Sequence, residues 1–284
     1  MPPRSTPTAR QQRVGIELRK MRDAAKKTTA DGAATLGLDR TKITQIEKAL
    51  YPVTADRVRT LACEYDEAES AYVEALVAMA TDRRKGWWEE YRGVLPPGFL
   101  DISEVEFHAT GVLRTLQISH PPGLLQTRDS ARGVFERFRP ALPSRDLDAR
   151  LSHRMRRAQI LFGDNPTRYE AIVHEAALRM RFGGPGAARE QLEHIRTMAE
   201  RSNITIRVVT FESPGFSGAG QAVLYAGGEV PRLDTVQVDS VHGPMFLDDT
   251  NQLRNYRDVL DDMAGLALSP SDSIVFMESL LKEL

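Results

Sequence analysis

A single cysteine, Cys63, is the whole thiol inventory of these 284 residues. That excludes an intramolecular disulfide and any metal cage built on cysteines. No N-terminal apolar run resembles a signal peptide, and nothing approaches the roughly 20 consecutive apolar residues of a membrane span. These absences predict a cytoplasmic protein without membrane association. Lysine is scarce, with 7 against 31 arginines, a ratio that reads as the codon bias of a GC-rich genome and not as a nucleic-acid signature. Net charge is nearly absent as well, at -1, but the balance hides an asymmetry. Residues 1–60 hold 13 Lys plus Arg and 6 Asp plus Glu, or +7, which leaves -8 for the remainder. A basic head on an acidic body suits a chain that touches phosphate at one end only.

The length accommodates two domains. Residues 1–9, with three prolines, cannot bury a face and are expected to form a disordered arm. Val14, Leu18, Met21 and Ala25 follow at helical spacing, and Arg13, Arg19, Lys20 and Arg22 are assigned to the outside of that helix. Thr28 is placed to cap a second helix that Gly37 ends. Asp39 then caps a third, in which Ile43 and Ile46 share the inner face. Its outer face carries Arg40, Thr41, Lys42, Thr44 and Gln45, donors suited to phosphate and major-groove base edges. Arg40, Thr41, Thr44 and Gln45 are the candidate base readers. Lys42, with Thr28 and Thr29 at the start of the second helix, is the candidate phosphate holder. A fourth helix is expected near 55–65, and a fifth ending at Gly86 after Arg83-Arg84-Lys85.

The strings Ala33-x-x-Leu36-Gly37 and Thr41-x-Ile43-x-x-Ile46-Glu47 resemble the xenobiotic-response-element (phage-repressor-like) helix-turn-helix family. Two positions depart from its pattern. Gly32 stands where that family usually has a bulky apolar residue, and Ala49 where it has a glycine. Gly32 within a helix is expected to cost about 1 kcal/mol relative to alanine.

Beyond the head, Trp87-Trp88-x-x-Tyr91 concentrates aromatic side chains, and Pro122-Gly123-Leu124-Leu125-Gln126-Thr127 follows a segment, 113–118, that reads as helix end or strand. With the Trp pair, that string is similar to the C-terminal half of the WhiJ-like actinobacterial regulators, in which an uncharacterised domain follows the same type of head. Most of these aromatics read as core or interface. The alternative is a ligand or partner site formed by Trp87, Trp88, Tyr91 and Gln126. Residues 145–162 read as an Arg-dense, solvated helix. Strands are expected near 169–173, 204–210, 221–225, 235–238 and 245–247, a helix at 187–201, and two closing helices at 249–266 and from 271 onward.

No intact catalytic constellation emerges. His174-Glu175 begins like a zinc-protease helix, but Leu178 replaces the second histidine. Gly215-Phe216-Ser217-Gly218-Ala219 lacks the closing glycine of a nucleophile elbow. Gly218-x-Gly220 precedes a strand, where a phosphate loop would open a helix. The histidines show no ligand spacing. Catalytic residues, metal and cofactor are therefore each expected to be none.

The expected architecture is an all-α helix-turn-helix head at 10–85 and a mixed α/β (α+β) domain at 86–284. The expected function is a sequence-specific transcriptional regulator that binds double-stranded DNA as a homodimer, since one recognition helix reads too few base pairs. Its second domain would bind a small-molecule effector or a small partner protein, the resemblance implying small proteins encoded alongside; an antitoxin-like regulator is one form of this reading. The competing reading is an enzyme with a DNA-binding appendage.

Overall fold

The computed structural model describes residues 7–137, 141–215, 220–240 and 243–284. The chain divides into two compact units, Met1–Trp87 and Trp88–Leu284.

The first unit is all-helical: α1 Ala9–Ala24, α2 Thr29–Leu36, α3 Arg40–Glu47, α4 Ala55–Glu64 and α5 Ser70–Thr81. The helix begins inside the expected arm because Thr8 and Gln11 form a reciprocal capping box that satisfies two first-turn N–H groups. Val14, Leu18, Met21, Ile43, Ile46, Val58, Leu61, Tyr72 and Leu76 form the core, each fully buried aliphatic side chain contributing about 1.5–3 kcal/mol. Gly15 sets the packing of α1 on α3. A Cβ there would stand 2.4 Å from the Glu47 carbonyl oxygen, so only glycine admits the end of α3 this close.

Four sequence expectations change here. Arg13 lies inside the head, its guanidinium 2.7 Å from Glu17, whose carboxylate also accepts from Tyr72 Oη at 2.5 Å and from Lys20. Arg22 is likewise drawn inward, donating through Nε at 2.6 Å and Nη2 at 3.0 Å to Glu47. Helical periodicity had put both outside because it counts charge and not the carboxylate waiting across the core. The fifth helix stops at Thr81, five residues before Gly86; Asp82 terminates it and is gripped by Arg10 and Arg84. Gly32, finally, is demanded by packing, since a Cβ would lie 2.2 Å from Tyr65 Oη.

The second unit is built on a six-stranded mixed sheet ordered β3-β2-β1-β4-β5-β6, with β1 Val112–Gln117, β2 Arg168–His174, β3 Ile204–Val209, β4 Val223–Gly227, β5 Thr235–Ser240 and β6 Gly243–Leu247. The strands β1, β2 and β3 are parallel; β4, β5 and β6 pair antiparallel. Helices α6 Pro97–His108, α7 Arg128–Phe135, α8 Ser144–Arg157, α9 Glu175–Arg179, α10 Pro185–Met198, α11 Thr250–Leu266 and α12 Pro270–Glu283 complete it. Strand alternation sends side chains to both faces. Leu113, Tyr169, Ala171, Val173, Ile206 and Leu224 meet Leu192 and Ile195 of α10 and Met277 and Leu280 of α12. Leu116, Ile172, Val223, Tyr225, Val236 and Val238 meet Leu253, Leu260 and Met263 of α11 on the other face. The segment after Ala109 is therefore a strand, fixed by a parallel ladder to β2 that no local pattern discloses. The Arg-dense helix ends at Arg157 and gives way to a 3-10 turn, Ala158–Leu161. It is not solvated throughout: His153 and Arg157 are 1 % and 6 % exposed, because α6 lays Ser103 and Glu106 against them.

Candidate functional site

The α2–α3 corner follows from three residues. Gly37 takes the left-handed conformation (φ 60°, ψ 36°) that closes α2, with its N–H returned to Ala33 and Ala34. Asp39 opens α3 by accepting from Thr41 N at 2.7 Å; the Thr41 hydroxyl and then this N–H hold its carboxyl below the ordinary aspartate range. Ile43 and Ile46, 1 % and 2 % exposed, fix the roll of α3 about its axis.

That roll leaves Arg40 and Thr41 exposed and Lys42, Thr44 and Gln45 half-buried. Lys42 Nζ donates to Gln45 Oε1 at 3.2 Å and lies 4.6 Å from the centre of the Tyr51 ring. The Gln45 carbonyl is thereby occupied. Thr28 is occupied too: its N–H and hydroxyl both donate to Asp31 Oδ2, at 2.7 and 2.8 Å, in the capping box that starts α2. Thr29, beside it, is half-buried. Glu47, the only carboxylate of α3, is neutralised by Arg22; the bond to Glu47 raises the arginine's pKa above its ordinary value. The corner thus brings the α3 donors and the start of α2 into one unit, with Glu47, the acid within α3, paired.

The aromatic and loop residues of the second unit fall into separate environments. Trp88, 3 % exposed, packs edge-on against Phe107 at 5.3 Å between ring centres and against His108. The Tyr91 hydroxyl meets Ser152 at 2.9 Å and its ring stands 5.1 Å from His153. Gln126, 5 % exposed, donates to the Pro121 carbonyl and accepts from Arg154 Nη1 at 2.9 Å. Tyr91 and Gln126 therefore both end on α8, while Trp88 belongs to α6. Trp87 closes the first unit and is half-buried.

Sequence reasoning passed over the polar seam between α6 and α8. Burial and the adjacent Arg157 and Arg154 guanidiniums press the His153 pKa down to about 3, so the ring is neutral. Glu106 takes both arms of Arg157, a buried bidentate pair. The available signal was Ser103-x-x-Glu106 beside His153-x-x-x-Arg157, two polar pairs at helical spacing on helices read separately. Of the motif fragments, His174 caps α9 by accepting from Ala176 N, and Glu175 accepts from Phe211 N and Arg179. Residues 216–219, the core of the elbow-like string, and His242 lie outside the described residues, as does the arm at 1–6. Among the described residues no group of three or more His, Cys, Asp or Glu is placed to hold a metal, and no helix is long and apolar enough to cross a membrane.

No curated protein and no solved structure matches this chain. Residues 99–279, from α6 to α12 and more than half of the sequence, match the family described as "Domain of unknown function (DUF5753)". The chain belongs to the DUF5753 family.

Proposed function

We propose that the protein is a cytoplasmic, sequence-specific transcriptional regulator whose first unit is a helix-turn-helix of the xenobiotic-response-element type. The observation that carries the reading is the presentation of α3: two isoleucines buried, Arg40 and Thr41 exposed, and Glu47 neutralised by Arg22. A helix so prepared offers donors to the major groove with the carboxylate of its own last turn neutralised. Arg40, Thr41, Thr44 and Gln45 are the base readers under this proposal, and Thr28, Thr29 and Lys42 face the backbone. A single helix reads few base pairs, so the protein acts as a homodimer on an inverted repeat with half-sites about one helical turn apart. The second unit, acidic overall, does not touch DNA. It receives a signal from a small molecule or a small partner protein and passes it on only as far as that ligand discriminates between two states of the regulator.

The test is a footprint combined with a salt titration. The full chain should protect two half-sites. Lys42→Ala should weaken all sequences alike and flatten the dependence of log affinity on log salt by about one charge. Protection of one half-site by a monomer would remove the dimer from this reading, and an unchanged salt slope would remove Lys42 from the phosphate contacts.

A further inference from the structure

The sheet face that carries Leu113 turns polar toward the carboxyl ends of β1 and β5. Thr115 and Gln117 follow Leu113 on that face, and Gln237 and Asp239 lie across from them in register with β4. Gln117 donates to Thr115, and Gln237 to Asp239. The loop that leaves β1 folds over this end, and Arg154 of α8 reaches into it.

Two guanidiniums meet here. A Cβ on Gly123 would stand 3.0 Å from Arg154 Nη1 and 3.9 Å from Arg157 Nη2, so both lie against the same glycine. Arg157 is fully matched by Glu106. Arg154 is not matched. Among the described residues one of its five N–H donors has a protein acceptor, the Gln126 carbonyl, and no carboxylate comes within 4 Å. Its guanidinium lies 5.0 Å from the centre of the Phe135 ring. Both Gln126 and Phe135 are buried, which fixes the orientation of the fork. Arg154 is half-buried, so the rest of its fork stays open to solvent while its orientation is held, which is the arrangement an incoming anion needs.

We propose that Arg154 anchors a binding site for a small oxyanion, a carboxylate or a phosphate, at the carboxyl ends of β1 and β5. The remaining N–H groups of the planar fork match two oxygens of such a group at once, as an ammonium would not. His120 borders the site in neutral form, its pKa lowered by burial; its Nδ1 is 2.9 Å from Ser119 Oγ and its ring stacks on Phe182 at 5.0 Å and 18°. Asp239, at the exposed end of β5, sits within electrostatic range of His120, Arg154 and Arg157. It limits the site to one anionic group. Burial beside Arg157 already lowers the pKa of Arg154 to about 9, a strain that a bound anion relieves. The inference supplies a ligand class for the receiving role proposed above. Because its test needs no DNA, it fails separately from the DNA reading.

The experiment is thermal unfolding of the full chain in sodium phosphate and in sodium acetate, each against sodium chloride at equal ionic strength and pH 7. Wild type should show a saturable rise in Tm with phosphate, acetate or both, and the active anion names the ligand's charged group. Arg154→Met should abolish the rise, while Arg181→Met, at an exposed arginine, should keep it. If Arg154→Met does not fold, Arg154→Lys serves instead, retaining the charge and losing the fork; half-saturation should then need at least tenfold more anion. Equal behaviour of all three salts on wild type, or a rise that survives the Arg154 substitutions unchanged, overturns the proposal.

Discussion

The two units differ in where they leave arginine unpaired. In the helical unit Arg13 and Arg22 are turned into the fold to neutralise Glu17 and Glu47, while the Arg40 side chain stays on the surface with no ion pair among the described residues. In the sheet-based unit many arginines are matched to acids: Arg114 with Glu170 and Asp261, Arg157 with Glu106, Arg179 with Glu175 and Glu283, Arg196 with Glu200 and Glu278. Arg154 differs from these: its hydrogen bond goes to the Gln126 amide. The contrast teaches that arginine content alone says nothing about nucleic acid; what matters is which guanidiniums the fold leaves unanswered.

The largest effect should come from breaking the best-matched pair. Glu106 is 1 % exposed, so Glu106→Ala leaves the Arg157 guanidinium buried without a counter-charge and should destabilise the second unit by about 3–5 kcal/mol in urea unfolding. Replacing both partners with apolar residues of similar volume should recover most of that loss. A single-variant cost below about 1 kcal/mol would mean that water reaches the pair.

Acid should act next, through His153. Its folded pKa, about 3, lies below the ordinary histidine value, so the unfolded chain binds the proton first. The stability it contributes is therefore complete above about pH 6.5 and is lost as pH falls toward 3. One proton taken up on unfolding lowers stability by about 1.4 kcal/mol per pH unit in that window. His153→Gln should flatten the slope between pH 6 and 4, whatever its effect on stability at neutral pH.

Smaller effects sharpen the account of the head. The Tyr65 hydroxyl is buried without a hydrogen-bond partner, and burial raises its pKa to about 12. Tyr65→Phe should therefore be neutral or stabilising by up to about 1 kcal/mol. Gly32→Ala, which helix propensity alone marks as favourable, should instead destabilise by about 1–3 kcal/mol in wild type. It should recover most of that loss in the Tyr65→Phe background, which lacks the hydroxyl that a Cβ would meet. Ala49 holds φ at 57°, the left-handed region where an L side chain is strained, so Ala49→Gly should stabilise by about 1 kcal/mol. Thermal unfolding of the three variants decides these signs.

Much of this architecture was legible in the sequence. Thr28, Gly37 and Asp39 mark their helix ends by local chemistry, and the structure puts the corner where they predict it. Ile43 and Ile46 show which face of α3 is hidden for the same reason. The strands from residue 168 onward were visible as strands, β2, β3 and β5 by their β-branched residues. What was hidden depended on partners distant in the chain. The strand at Val112–Gln117 is defined by β2 more than fifty residues later, Arg22 by Glu47, Gly32 by Tyr65, and the α6–α8 seam by two helices whose polar pairs look solvated when read one at a time. Trp88 illustrates the converse. Its aromatic weight was plain, but only the ring of Phe107 against it shows where that weight is placed.

The claim that most needs testing is that α3 reads DNA sequence. Selection from randomised duplex DNA with the full chain and with Gln45→Ala addresses it directly. Wild type should enrich an inverted repeat, and Gln45→Ala should lose about 1–3 kcal/mol of base preference at one position in each half-site while keeping the rest. A wild type that enriches no sequence, or a Gln45→Ala profile that matches wild type at every position, contradicts the account.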